Sequence, residues 1–177
     1  MSFYFIQMAD PQFGMYEYFS KLDDEKIQNI RIHKGMNILK KHPIPGLDFE
    51  IEKYNKAIHE ANRLNPEFVI ICGDMINSTE DSRQLQNFIK ITNKLSKNIK
   101  IYWAAGNHDI DNQELTDKSL NNYRQDFGND QYYFDYNRYR FIVINSNITF
   151  NPTKLPKEWN KQLEFLTTTL KDSININ

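Results

Sequence analysis

Three short polar stretches each follow an apolar run: Asp10-Pro11-Gln12, Gly73-Asp74-Met75-Ile76-Asn77 and Gly106-Asn107-His108-Asp109. Together they offer the carboxylates of Asp10 and Asp74, amide oxygens from Gln12, Asn77 and Asn107, and the His108 imidazole with Asp109 beside it. Divalent cations bind that mixture of oxygen and nitrogen donors. Singly, each stretch reads as turn chemistry, since Asp-Pro and Gly-Asp are common turn dipeptides and Asn tolerates left-handed backbone. A metal site becomes the economical explanation because all three lie at the ends of strand-like segments.

Those segments are Phe3 to Ala9, Glu67 to Cys72 and Ile99 to Ala105, mostly apolar without strict alternation, as expected of strands covered on both faces. Between them Ile51, Tyr54, Ala57, Ile58, Ala61 and Leu64 recur at helical spacing, with Glu52, Lys53, Lys56 and Glu60 opposite. Asp81 to Lys97 repeats the pattern behind a Ser78 or Thr79 cap. The order strand, helix, strand, helix, strand predicts parallel pairing with right-handed crossovers, and ligands bind beyond the carboxyl ends of such strands. Downstream the pattern predicts a helix from Lys118 to Phe127. Two antiparallel strands follow, Gln131 to Tyr136 and Tyr139 to Ser146, joined at Asn137-Arg138. A last helix, Lys157 to Lys171, carries Trp159, Leu163, Leu166 and Leu170 as its apolar stripe. The segment from Met15 to Leu47 is long for a strand-to-helix joint and reads as an insertion, with helical character from Asp23 to Leu39.

A chain of 177 residues suits one domain. Its 22 Lys and Arg balance 23 Asp and Glu, so no broad basic face is implied and nucleic-acid binding is disfavoured. Cys72 is the only cysteine, which excludes an internal disulfide. No apolar run is long enough to span a bilayer and no signal-peptide pattern opens the sequence, so the expectation is a cytoplasmic protein without a membrane partner.

The blocks D-P-Q, G-D-M-x-N and G-N-H-D, in that order, resemble the first three signature blocks of the calcineurin-like metallophosphoesterases. The wording "ADPQFG", "LNPEFVIICGDMIN" and "AAGNHD" is similar to the branch of calcineurin-like phosphoesterase-domain proteins described as Ser/Thr protein phosphatases. The similarity runs from the first strand to "WNKQLEFL". It implies an α/β fold, the four-layer α/β/β/α metallophosphoesterase sandwich, formed by residues 1–177 as a single domain with an insertion at about 15–47. It also implies two divalent metal ions, Mn, Fe, Zn or Mg, that clamp a phosphate and share an activated water. Carried over position by position, Asp10 binds the first ion and Asp74 bridges both. Asn107 binds the second through its amide oxygen, His108 meets the scissile ester, and Asp109 orients it. The implied reaction is hydrolysis of phosphate monoesters, with phosphoserine or phosphothreonine of a phosphoprotein among the substrates.

Two positions depart from the family pattern. Gln12 stands where the first block of the superfamily carries His, and an amide oxygen is the weaker ligand for transition ions. The family also supplies a later lone His and a G-H-x-H block, whereas the histidines here are His33, His42, His59 and His108 and none follows Asp109. The expectation is a sandwich lacking its C-terminal part, with apolar surface left uncovered. The alternative is a non-catalytic or weakly active member that binds a partner through the insertion.

Other candidates have plainer readings. Cys72 lies within an apolar strand, where thiols are inert packing and not nucleophiles. "YYFDYNRYRF" offers rings and arginines for base stacking, but with Asp130 and Asp135 nearby an ordinary hairpin is the simpler account. His59 and His33 read as solvated surface residues, and His42 likewise.

Overall fold

The computed structural model describes residues 2–38, 46–110 and 115–173. Its elements in chain order are β1 (Ile6–Met8), α1 (Met15–Ser20), α2 (Asp24–Lys34), α3 (Asp48–Leu64), β2 (Phe68–Cys72), α4 (Ser82–Thr92), β3 (Lys100–Ala104), α5 (Asn107–Ile110) and α6 (Asp117–Phe127). There follow β4 (Tyr132–Tyr136), β5 (Tyr139–Val143), α7 (Ser146–Phe150) and α8 (Pro156–Ser173). His42 lies outside the described residues.

β2 shows how one short strand organises the rest. Side chains alternate across a strand. Val69 and Ile71 are fully buried among Tyr54, Ile58 and Ala61 of α3 and Phe88 and Ile91 of α4. Phe68 points the other way, into rings from Phe134 and Tyr136 of β4 and Phe141 of β5. β1, β2 and β3 pair in that order, all parallel, with Met8 opposite Ile71 and Ile71 opposite Trp103. This register brings the three carboxyl ends side by side. Helices therefore cover one face of the sheet, while the β4–β5 hairpin covers part of the other.

The hairpin turns at Asn137, which takes a left-handed φ of 53°, and pairs Tyr136 with Tyr139. Tyr102 of β3 stacks on Phe134 at a centroid distance of 3.5 Å. The Tyr132 hydroxyl accepts from the Trp103 N–H at 2.9 Å and donates to the Trp103 carbonyl at 2.8 Å. Such aromatic pairs contribute about 0.5–1.5 kcal/mol each beyond their area. Arg140 is paired with Asp135 and lies over the Tyr133 ring, so the basic and aromatic side chains of this ribbon are engaged with one another.

Several elements differ from the sequence pattern, each for a local reason. β1 begins at Ile6 instead of Phe3: the ladder to β2 starts with Ile6 opposite Val69, and ahead of it the Tyr4 carbonyl accepts from the Glu67 N–H while the Phe3 and Phe5 rings pack on Phe68. α2 stops at Lys34, where Gly35 adopts a left-handed φ of 65°, and it buries none of its residues. α4 is capped by Asp81, not by Ser78 or Thr79, and it ends at Thr92, not Lys97. Asn62 of α3 ends it early by donating to the Lys94 carbonyl and accepting from the Ser96 N–H. β5 ends at Val143 because Asn145 turns to cap α7, a helix the pattern did not foretell.

The largest difference is α8. Leu163 and Leu170 of its apolar stripe are 41% and 50% exposed, whereas Glu158, Gln162 and Thr169 are buried. Specific polar bonds outweigh the stripe: Gln162 accepts from the Asn145 N–H and donates to the Asn145 carbonyl, and Glu158 pairs with Arg124. Among the described residues no helix is long and apolar enough to cross a membrane.

Candidate functional site

The loop after β1 extends the sheet's pairing instead of leaving it. The Asp10, Gln12 and Phe13 amides donate to the carbonyls of Gly73, Asp74 and Met75, and the Asn77 amide returns to Phe13. Asp10, Gln12 and Asp74 hold φ values of 51°, 32° and 49°. Non-glycine residues in that region are strained, and such strain clusters at functional sites. Here it turns the side chains of two strand-end loops toward a common space.

Glycine lets the next loop come equally close. A Cβ on Gly73, whose φ is +78°, would stand 2.8 Å from the Gly106 Cα. The G-D and G-N-H-D blocks thus touch backbone to backbone, which only a glycine pair permits. The backbone N–H of His108 then donates to Asp74 Oδ1 at 3.1 Å.

Asp10, Gln12, Asp74, Asn107 and His108 line one cavity of about 800 Å³. Asp109 is turned inward and only 3% exposed. Its Oδ1 accepts from the Met75 and Ile76 amides and its Oδ2 from Gly106. The Nδ1 of His108 meets the Asn77 carbonyl oxygen at 2.8 Å. Asp109 therefore acts on His108 at one remove, by ordering the two loops that carry the imidazole and its carbonyl partner. Asn77 also accepts from Gln12 Nε2 at 3.3 Å.

Electrostatics favour a cation. Partial burial and the neighbouring Asp74 charge push the Asp10 carboxyl above its ordinary range, with His108 opposing them. A positive charge between the two carboxylates relieves both effects. Two carboxylates plus the amide oxygens of Gln12 and Asn107 are donors suited to hard ions, which complete their shells with water or substrate oxygens. Among the described residues no three His, Cys, Asp or Glu cluster closely enough to hold a metal by themselves. The donor set thus fits an oxygen-ligated divalent cation better than an imidazole-rich one.

The cavity is also lined by Met15, Tyr18 and Phe19 of α1, Ile30 and Lys34 of α2, and Met36, which form its less acidic wall. α1 is anchored there by Glu17, which pairs with Lys21 and with Arg83 of α4. Glu50 Oε1 accepts from the Gly14 and Tyr16 amides and clamps the chain just after Gln12.

His59, His33 and Cys72 do not line this cavity. The His59 side chain is 78% exposed. His33 is exposed as well. Cys72 is a half-buried free thiol that burial pushes up in pKa, as expected of inert packing. Sequence reasoning missed Glu50 and Gln84. Both left a signal, a polar residue on the buried face of an amphipathic helix, beside Tyr54 in α3 and Phe88 in α4.

Residues 5–173 match the sequence model of the family described as calcineurin-like phosphoesterase. The chain is similar to proteins named serine/threonine-protein phosphatase CPPED1. It is 28% identical to that of Rattus norvegicus over 168 residues, covering 87% of this chain and 46% of the relative. Identity to that of Homo sapiens is 28% over 165 residues, with the same coverage, and to that of Danio rerio 24% over 161 residues, covering 88% and 47%. The chain spans about half the length of these curated relatives.

Proposed function

The chain belongs to the calcineurin-like phosphoesterase family, and from that premise we propose that it hydrolyses phosphate monoesters using a pair of divalent cations held by Asp10, Gln12, Asp74 and Asn107. The observation that carries this reading is the convergence of those four residues and His108, from three strand ends, on one cavity. Bound cations would supply positive charge against the phosphate oxygens and make a water more acidic and hence a better nucleophile.

The rest follows from the chain's own groups. A carbonyl oxygen can only accept, so the proton between Asn77 and His108 sits on Nδ1. Nε2 is then the ring atom left to give a proton to the departing oxygen when the imidazole is charged. Asp74 takes one hydrogen bond from the His108 amide, which orients its carboxylate. The organic part of the ester would lie along Met15, Tyr18, Phe19, Ile30 and Met36, with Lys34 a cation on that wall. A peptide bearing phosphoserine or phosphothreonine is the substrate class this reading favours, in keeping with the relatives' name. The four-layer sandwich belongs to the same reading, supported by helices on one face of the sheet and the hairpin on the other.

The test is phosphate release from phosphoserine and phosphothreonine peptides by the 177-residue chain with Mn²⁺ or Mg²⁺. Release that disappears with chelator, in Asp74→Asn and in His108→Ala is the expected result. Release that persists in Asp74→Asn would overturn the assignment. Tight peptide binding without turnover would favour a binding protein instead.

A further inference from the structure

We infer that Gln84 is a positioning residue for His108, acting through the peptide group that joins Asn77 to Ser78. Its effect on catalysis rests on the phosphoesterase reading; its geometry does not. Gln84 is 5% exposed on the inner face of α4. Its Oε1 accepts from the Asn77 N–H at 2.9 Å and from the Ser78 N–H at 2.8 Å. The Ser78 N–H and the Asn77 carbonyl are the two ends of one planar peptide unit and point in opposite directions. One end is held by Gln84 and the other meets His108 Nδ1 at 2.8 Å. Fixing the first end fixes the second. A donated N–H also polarises its own carbonyl and strengthens the acceptor that the imidazole meets.

The amide of Gln84 has little freedom to do otherwise. Two N–H donors require an oxygen, and Nε2 points to Asp81 Oδ2 at 3.4 Å, which sets the orientation of the side chain. The amide also lies against Gly14, where a Cβ would come within 2.2 Å of Nε2. Gln84 is thus clamped between the loop carrying Gln12 and the loop carrying Asp74. Because Asn77 in turn accepts from Gln12, a single buried amide links a candidate metal ligand to the candidate proton donor.

A role limited to stability would leave the position of the imidazole proton untouched, so that position is the readout. Long-range ¹H–¹⁵N spectra of the full chain, taken where the ring is neutral, should show His108 protonated on Nδ1. Gln84→Glu, whose carboxylate still accepts from both amides, should keep that signature. Gln84→Met should mix in the Nε2-protonated form and lower kcat on a phosphopeptide by roughly 10- to 100-fold, with KM little changed. Gly14→Ala, which displaces the same amide from the other side, should shift the ring the same way. A folded Gln84→Met protein that keeps the wild-type ring signature overturns the inference. Should Gln84→Met fail to fold, the wild-type chain decides: a proton on Nε2, or a Ser78 amide that exchanges as fast as exposed amides, overturns it equally. Wild-type protein with no phosphate release counts against the phosphoesterase reading alone, since the ring signature is read without turnover.

Discussion

Gly106 lies flat against Asp74: a Cβ on Gly106 would stand 2.1 Å from Asp74 Oδ1 and 2.2 Å from the Asp74 amide nitrogen. A side-chain rotation alone cannot relieve both contacts, because one of the two atoms is backbone. Gly106→Ala should therefore push the carboxylate off its position. Calorimetric titration should show Mn²⁺ affinity falling at least roughly tenfold. Urea unfolding should show a loss of about 1–3 kcal/mol, the usual cost of overpacking.

Burial pushes the Asp109 carboxyl up to about 6, with the Asp74 charge adding to it and the amides of Gly106, Ile76 and Met75 opposing. The folded chain thus holds this proton more tightly than the unfolded chain does. The stability it contributes is full below about pH 4 and is lost as pH rises through about 6. In metal-free protein, the wild-type stability measured against Asp109→Asn should fall by about 3 kcal/mol between pH 4 and pH 7. Groups such as Glu17, held low by Lys21, cancel in that difference. A difference that stays flat with pH would remove the argument.

Arg124 joins two carboxylates whose side chains are nearly inaccessible, Asp130 at 1% and Glu158 at 8% exposed, each at 2.6 Å. Removing the guanidinium takes this cation from Asp130, which keeps the Asn145 amide, while Glu158 keeps Lys161 at 2.6 Å. Arg124→Met should cost about 3–5 kcal/mol in chemical denaturation. Adding Asp130→Asn to that variant should recover part of the loss.

Phe68 is 1% exposed and meets rings from Phe3, Phe5, Tyr102, Phe134, Tyr136 and Phe141. With the Tyr102–Phe134 stack and the Tyr132–Trp103 bonds, it holds the hairpin to the parallel sheet. Phe68→Ala should destabilise by about 3–5 kcal/mol. Tyr136 and Tyr139 amides should lose hydrogen-exchange protection before those of β2 and β3.

Tyr18 and Met36 stand on the less acidic wall of the cavity and are 51% and 45% exposed without substrate. Covering each with a peptide is worth about 1 kcal/mol. Tyr18→Ser or Met36→Ser should raise KM for a phosphoserine peptide about 5-fold while leaving KM for free phosphoserine unchanged. Equal changes for both substrates would show that the wall does not touch the peptide.

The parallel sheet and the convergence of three polar strand ends were legible because apolar runs of strand length alternated with amphipathic helices, an order with few topological solutions. Within the candidate site, Asp10, Gln12, Asp74, Asn107 and His108 were legible from type and place. The partner of His108 was not. Asp109 follows it in sequence and suggested itself, yet the Nδ1 atom meets a backbone carbonyl, which carries no sequence signature. Boundaries failed where tertiary bonds overrode local pattern, as when Asn62 ends α4 and Asn145 ends β5. The buried face of α8 was partly misread for a related reason: Trp159 packs against the core, but Leu163 and Leu170 lost to bonds made by Glu158 and Gln162, and pairing of that kind is invisible to periodicity.

The bonds from Tyr132 to Trp103 bear on how the protein behaves at high concentration. Among the described residues β3 is an edge strand of the parallel sheet, and its outer backbone is a template on which a strand from another molecule can add. One phenol, accepting from the N–H and donating to the carbonyl of the same residue, occupies the middle of that template. A ring without the hydroxyl would pack as well but leave that stretch of β3 unpaired, an opening of the kind through which strands of neighbouring molecules associate in concentrated solution.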